Sequence, residues 1–219
     1  MKIRTGFGYD VHKLVEGRDL WLGGIKLDYE LGLLGHSDAD VLIHAICDAL
    51  LGAANMRDIG YHFPDTSDAT LDIDSKILLR KTIELIATKG YRLGNIDATV
   101  CAERPKLNPH IPEMQRCLAE VMNTDIDNVS IKATTTERLG FTGRMEGISA
   151  YPTVLIDNHS KSCPFAFKRS TFGLPNAPLL HSKRSPFGRQ KDYIFFTPTS
   201  KHAVSGQKTQ KNKIFSCFS

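Results

Sequence analysis

Across 219 residues no apolar run approaches the ~20 residues needed to cross a bilayer, so no membrane span is expected. The N-terminus, MKIRTGFGYDVH, lacks the apolar core of a secretory signal. It also lacks the Arg- and Ser-rich, acid-poor character of an organelle transit peptide, and a cytoplasmic location is expected. The five cysteines, Cys47, Cys101, Cys117, Cys163 and Cys217, show no C-x-x-C spacing, which argues against a cysteine zinc cluster or a disulfide framework. Cys47, Cys101 and Cys117 sit in apolar segments and read as small buried hydrophobes. Positive charge is scarce where the net value of +4 suggests it. Residues 157–219 carry eleven Lys/Arg against two Asp/Glu, whereas residues 1–156 carry seventeen against twenty-two. The larger part of the chain is therefore acidic, and nucleic acid is not an expected partner.

What is there is ordinary for a globular domain: 41% apolar and 24% charged residues, in a chain long enough to bury a substantial core. Residues 1–8 suggest a strand, and LWLGGIKLDYE suggests paired strands turning at Gly23-Gly24. Residues 38–52 read as a helix. In DSKILLRKTIELIATKG the residues Ile77, Leu78, Leu79, Ile83, Leu85 and Ile86 recur at helical spacing before a stop at Gly90. Residues 96–102 alternate as a strand. Pro112 opens a helix whose apolar stripe is Met114, Cys117, Leu118, Val121 and Met122. Residues 129–133 and 148–156 read as further strands, although Pro152 argues against a central position for the last one. The expected fold is α+β, a mixed α/β single domain over residues 1–156 with one layer of helices against a sheet. Residues 157–219, rich in Ser, Pro, Gly and Lys and without sustained periodicity, are expected to be a disordered basic extension.

Chemistry concentrates in a few segments. In GYDVH a strand would turn Asp10 and His12 to the same face, where a carboxylate and an imidazole can share one metal ion. A strand-end pair bonded to backbone fits the same spacing. In GHSDADVLIHAICDALLG, Asp40, His44 and Asp48 fall at i, i+4 and i+8 on one helical face. Ser37 can cap that helix with Asp40 completing a capping box, which leaves His36, Asp38, His44 and Asp48 unexplained. Asp10, His12 and His44 would give three N/O ligands and an open position, with Asp40 or Asp48 orienting His44. DIGYHFPDTSD is a polar loop suited to a lid. AERPKLNPHIP brings Arg104 and Lys106 toward a helix start, which favours an anion. KATTTERLGFTGRMEG offers hydroxyls, an arginine and Glu137, suited to phosphate and to a hard cation such as Mg²⁺, although threonine runs are also common in strands. The residues alone imply metal-assisted chemistry on a phosphorylated small molecule.

In this order, GYDVHKL, GLLGHSDADVLIHAICDALLGAA, DIGYHFPDT, KGYRLGNIDATV, RPKLNPHIP and KATTTERLGFTGR resemble the 2-C-methyl-D-erythritol 2,4-cyclodiphosphate synthase family, nearly without gaps over residues 1–156. The resemblance implies a phosphorus-oxygen lyase. It would convert 4-diphosphocytidyl-2-C-methyl-D-erythritol 2-phosphate to the cyclic diphosphate and CMP, in the non-mevalonate route to isoprenoids. It further implies Zn²⁺ on Asp10, His12 and His44, Mg²⁺ or Mn²⁺ on Glu137, and transition-state assistance from His36 and Thr135. Ser37, Asp58, Gly60 and the loop Phe63, Pro64, Asp65, Thr66 and Ser67 would surround the methylerythritol phosphate. Ala102, Lys106, Leu107, Asn108, Ala133, Thr134, Thr135 and Thr136 would hold the cytidine diphosphate part, with Phe141 and Arg144 nearby. A homotrimer with active sites between subunits is implied, and Arg144 matches a position lining a central cavity that takes isoprenoid diphosphates in some members. Three departures stand out. FPDTS replaces the usual F-P-D-T-D, Met145 follows the G-R pair where glycine is usual, and the segment after Asp157 has no counterpart. Two other functions compete: a metal-dependent phosphohydrolase that delivers water to the phosphate, and a nucleic-acid or membrane binder acting through the basic extension.

Overall fold

The computed structural model describes residues 2–64 and 73–158. Asp65, Thr66, Ser67 and the expected C-terminal extension from residue 159 onward lie outside the described residues. The architecture is organised around α1 (Val41–Ala53), the most apolar helix among the described residues. Every residue from Val41 to Leu51 is buried except His44 and Asp48. A helix apolar all round belongs in a core, and its one polar stripe marks where the core opens. Asp40 is the N-cap, accepting from the backbone N–H groups of Leu42 and Ile43, and it also accepts from Gly24 N–H at 2.6 Å. The expected Ser37 cap is not made; the Ser37 hydroxyl lies against His44 and accepts from Ala39 N–H, ahead of the helix.

Strands β1 (Lys2–Phe7), β2 (Asp10–Glu16), β5 (Leu31–Leu33), β6 (Arg92–Cys101), β7 (Val129–Thr134) and β8 (Gly147–Asn158) form a mixed sheet in the order β5-β2-β8-β6-β7, with β1 also beside β8. Among the described strands only the β6–β7 pair is parallel, joined through α4 (Ile111–Val121). A separate hairpin, β3 (Leu20–Leu22) with β4 (Ile25–Leu27), turns at Gly23-Gly24 as expected; both glycines have positive φ, as a two-residue hairpin turn demands. The helices α1, α3 (Ser75–Thr88) and α4 cover one face of the sheet, with the short turns α2 (Ile59–His62) and α5 (Gly140–Gly143) at its margins. The buried face of α3 is Ser75, Leu78, Leu79, Thr82 and Ile86. Ile77, expected on that face, is exposed, because the helix is rotated to bring its first residue inward.

Pro152 does lie in a central strand, since β8 has β6 on one side and β1 and β2 on the other. Its carbonyl accepts from Gly8 N–H, so its backbone polar groups face the gap at residues 8–9 where β1 gives way to β2. A missing donor costs little at that one place in the ladder. β8 also runs two residues beyond the expected strand, with Asp157 bonded to Arg92. The other face of the sheet carries a column of outward residues, Ile3, Phe7, Tyr9 and Val11, all exposed; Tyr9 stacks against Tyr151.

On the helix side lie Gly6 of β1, Gly8 in the short connection that follows, and Asp10, His12 and Leu14 of β2. Gly6 and Gly8 let α1 rest directly on the strand: a Cβ on Gly8 would lie 2.0 Å from Ala45 O, and one on Gly6 1.9 Å from Ala49 O. That close approach sets His44 beside Asp10 and His12. Met145 has φ +58°, the left-handed conformation expected to strain a side chain at this position.

Candidate active site

The period of two turns Asp10 and His12 to one face, and the packing of α1 on the strands brings His44 to them. His12 Nε2 lies 3.1 Å from Asp10 Oδ2 and 3.0 Å from His44 Nδ1, and His44 Nδ1 lies 3.3 Å from the same carboxylate oxygen. They are the one group of three or more potential ligands found among the described residues. Asp10 Oδ1 accepts from Val11 N–H, whereas Oδ2 is buried without a hydrogen-bond donor. His12 Nδ1 donates to the Leu34 carbonyl at 2.9 Å, so in the neutral ring its Nε2 meets Asp10 Oδ2 with a lone pair. A carboxylate oxygen and ring nitrogens facing one another without a hydrogen between them fit a cation. One carboxylate and two imidazoles are a donor set for a divalent transition metal with a position left open.

Neither Asp40 nor Asp48 orients His44. Asp40 is committed to the helix cap, and Asp48 Oδ1 accepts from Ile59 N–H at 2.7 Å. His44 Nε2 is held by Ser37 Oγ at 3.0 Å and Ser75 Oγ at 2.9 Å. Ser75 was not foreseen, because DSKILL reads as nothing more than a capped helix start, and Asp74 does cap it. Burial pushes the Asp48 carboxyl up, only partly offset by the Ile59 N–H.

In the metal-free protein a proton can stand in for the ion. Burial alone would raise the Asp10 carboxyl, but the imidazoles of His12 and His44 beside its Oδ2 outweigh that and hold it well below the usual carboxylate range. Burial alone would lower His12, yet the Asp10 carboxylate and the Leu34 carbonyl raise it above its ordinary 6.5. Asp10 therefore contributes stability that is in place above its ordinary 3.8 and is lost as pH falls through its depressed value. His12 contributes stability that is in place below 6.5 and is lost as pH rises through its raised value. Chelator-treated protein is expected to resist urea best between 3.8 and 6.5, the ordinary values of the two groups. Urea midpoints across pH should show that optimum, and Asp10→Asn should flatten it.

The cluster opens into a cavity of about 290 Å³ lined by His36, Ser37, Gly60 and Phe63 among others. Asp58 stands at its edge as the N-cap of α2, accepting from Tyr61 N–H at 2.9 Å, and Pro64 follows Phe63 at the last described position before the loop. A second cavity, about 470 Å³, lies at the carboxyl ends of the parallel strands β6 and β7. Ala102, Lys106, Leu107, Asn108, Ala133, Thr134 and Thr135 line it. Carboxyl ends of parallel strands are where α/β sheets commonly take ligands. Just beyond, the Thr135 hydroxyl donates to Glu137 Oε1 at 2.9 Å, and Thr136 bonds the Leu139 carbonyl. Phe141 and Arg144 fall outside both cavities: Phe141 lines a shallow cleft with Val11 and Lys13, and Arg144 is held by Glu146 through two contacts of 2.8 and 3.0 Å.

The chain is similar to known proteins over the same residues that form this fold. The YgbB family model matches residues 3–157. A Bacteroides fragilis protein named 2-C-methyl-D-erythritol 2,4-cyclodiphosphate synthase is 77% identical over 157 residues, 72% of this chain and 99% of its own. Among solved structures, the bifunctional IspDF from Campylobacter jejuni superposes with a TM-score of 0.69 at 41% identity, over 71% of this chain and 42% of that longer one. An IspF–CDP complex from Plasmodium falciparum gives 0.63 at 36% identity, over 71% and 96% of the two chains.

Proposed function

This chain belongs to the YgbB family, and from that premise we propose that it is a phosphorus-oxygen lyase of isoprenoid biosynthesis. It closes 4-diphosphocytidyl-2-C-methyl-D-erythritol 2-phosphate to the 2,4-cyclodiphosphate. An oxygen of the 2-phosphate forms a bond to the β-phosphorus, the bond from that phosphorus to the bridging oxygen breaks, and CMP leaves with the bridging oxygen. The observation that carries the reading is the Asp10–His12–His44 cluster, opening into one cavity while a second lies at the ends of β6 and β7.

Zn²⁺ held by Asp10, His12 and His44, with Mg²⁺ or Mn²⁺ on Glu137, would supply Lewis acidity that neutralises charge on the diphosphate. The rest falls to the chain. No protein nucleophile is needed, so the work is positioning and electrostatics. His36 and Ser37, which line the first cavity, donate to phosphate oxygens, and Asp58, Gly60, Phe63 and Pro64, with Asp65, Thr66 and Ser67 of the same motif, bind the methylerythritol. Ala102 to Asn108 and Ala133 to Thr136 take the cytidine diphosphate part, and Thr135, oriented by Glu137, assists the leaving group.

The two cavities share no lining residue. The strand β2 is three strand spacings from β7 in the sheet, about 14 Å. Together with the exposed column Ile3, Phe7, Tyr9 and Val11, this supports a homotrimer whose sites combine the first cavity of one subunit with the second cavity of its neighbour. No helix among the described residues is long and apolar enough to cross a membrane, and we place the enzyme in the cytoplasm. The catalytic domain is residues 1–156, with the basic segment 157–219 an accessory extension. Incubation with the cytidylylated substrate and Mg²⁺ should release CMP and a cyclic diphosphate in equal amounts, from full-length protein and from protein ending at Asn158 alike. Linear phosphates as the sole products would overturn the cyclase in favour of a hydrolase.

A further inference from the structure

Ser75 and Asp38 stand behind His44 and take no part in the chemistry above. Ser75, the first residue of α3, is fully buried. Its backbone N–H donates to Asp38 Oδ2 at 2.9 Å, and its hydroxyl donates to Asp38 Oδ1. Asp38 Oδ1 also accepts from Asp40 N–H at 3.2 Å, so the carboxylate accepts three hydrogen bonds. A carboxylate can only accept, and the single hydroxyl hydrogen of Ser75 is therefore committed to it. Ser75 Oγ then meets the His44 ring at 2.9 Å as an acceptor, which requires the proton on His44 Nε2. Nδ1 of the same ring keeps only its lone pair, and it is this atom that faces Asp10 and His12 at 3.3 and 3.0 Å.

We propose that Asp38 and Ser75 are positioning residues that fix the tautomer and orientation of His44, presenting Nδ1 as a ligand before any ion arrives. Ser37 cannot do the same. Its hydroxyl lies 3.0 Å from the same Nε2 but can turn to donate or accept, whereas Ser75 is polarised by the carboxylate behind it. With Nε2 protonated, the Ser37 hydrogen is not spent on His44; within the site it can reach Ser75 Oγ, 3.5 Å away, whose own hydrogen is held by Asp38. The Leu34 carbonyl does for His12 what the Asp38–Ser75 pair does for His44, so both imidazoles are set by groups outside the cluster. The proposal takes its purpose from the metal-site reading, but its geometry stands without it.

The test reads the tautomer directly, by long-range proton–nitrogen correlation on ¹⁵N-histidine-labelled, chelator-treated protein at pH 8.5, alongside zinc competition titrations. Wild-type His44 should show a protonated Nε2 and a bare Nδ1 with no metal present. Ser75→Ala should mix the two tautomers and weaken zinc binding by roughly 10- to 100-fold, the cost usual for losing such a partner. Ser75→Thr, which keeps the hydroxyl, should recover both. Asp38→Asn should reproduce the Ser75→Ala result, because an amide cannot accept all three hydrogen bonds, and circular dichroism will show which variants keep the fold. A wild-type His44 protonated at Nδ1 would overturn the proposal. So would a Ser75→Ala protein with unchanged tautomer and zinc affinity. If wild-type protein binds no zinc, the metal reading fails, while the tautomer still decides this one.

Discussion

Replacing His44 with alanine is expected to strip the protein of bound zinc and to lower turnover on the order of a thousandfold or more, as removing a catalytic Lewis acid worth several kcal/mol implies. The substitution isolates this effect from the fold. His44 sits on the one polar stripe of α1, so its ring packs against the ligand cluster and two serines rather than the hydrophobic core. Alanine is the best helix former, and α1 keeps its apolar contacts. The remaining pair, Asp10 and His12, lies on one strand and offers an ion two ligands from a single side. Metal analysis, a single-turnover assay and a far-ultraviolet melt on the same preparation separate lost metal from lost structure. An unchanged zinc stoichiometry would refute the ligand assignment.

Gly8→Ala should act on the same site from beneath. The added Cβ would lie 2.0 Å from Ala45 O and 3.0 Å from Ala49 N, both backbone atoms that cannot rotate aside. Helix α1 must lift off β1, at a cost of about 3 kcal/mol, the upper end for overpacking. In a domain of this size that lowers Tm by roughly 6–12 °C. Because Ala45 adjoins His44 and Gly8 stands two residues before Asp10, the lift also opens the ligand cluster, and zinc affinity falls with stability. Gly52→Ala provides the contrast, since a Cβ there meets nothing within 4 Å and helix propensity favours alanine by about 1 kcal/mol. Equal Tm values for the two variants would show that the close packing of α1 is not what holds the site.

Much of the site could be read from local periodicity. A period of two turned Asp10 and His12 inward, and a period of 3.6 put His44 and Asp48 on one stripe. The double glycine marked the β3–β4 turn, because only its backbone freedom suits two positive φ angles in succession. What local patterns missed depends on contacts between distant segments. The partners of His44 are decided by where α3 packs against α1, which brings Ser75 across 31 positions of sequence to the imidazole. Ser37 and Asp40 compete for one helix end, and the choice falls to Asp40 because the Gly24 N–H reaches its second oxygen. Pro152 looked wrong for a central strand only because sequence does not show that β1 stops and β2 starts opposite it. The resemblance of the ordered motifs named the family; packing alone named the residues that stand behind the ligands.

The pairing of β1 with β8 has one more consequence. Lys2 lies opposite Asn158, so the first and last described residues of the domain are neighbours in the sheet. Asp10 lies opposite Ala150, eight residues back along the same strand, or roughly 26 Å at the rise of an extended chain. Whatever is joined to the domain at either end is attached at one point, at the far end of the strand from the ligand cluster. A new peptide bond could link Asn158 to Lys2 through a short linker and new ends be opened elsewhere, as adjoining termini commonly permit.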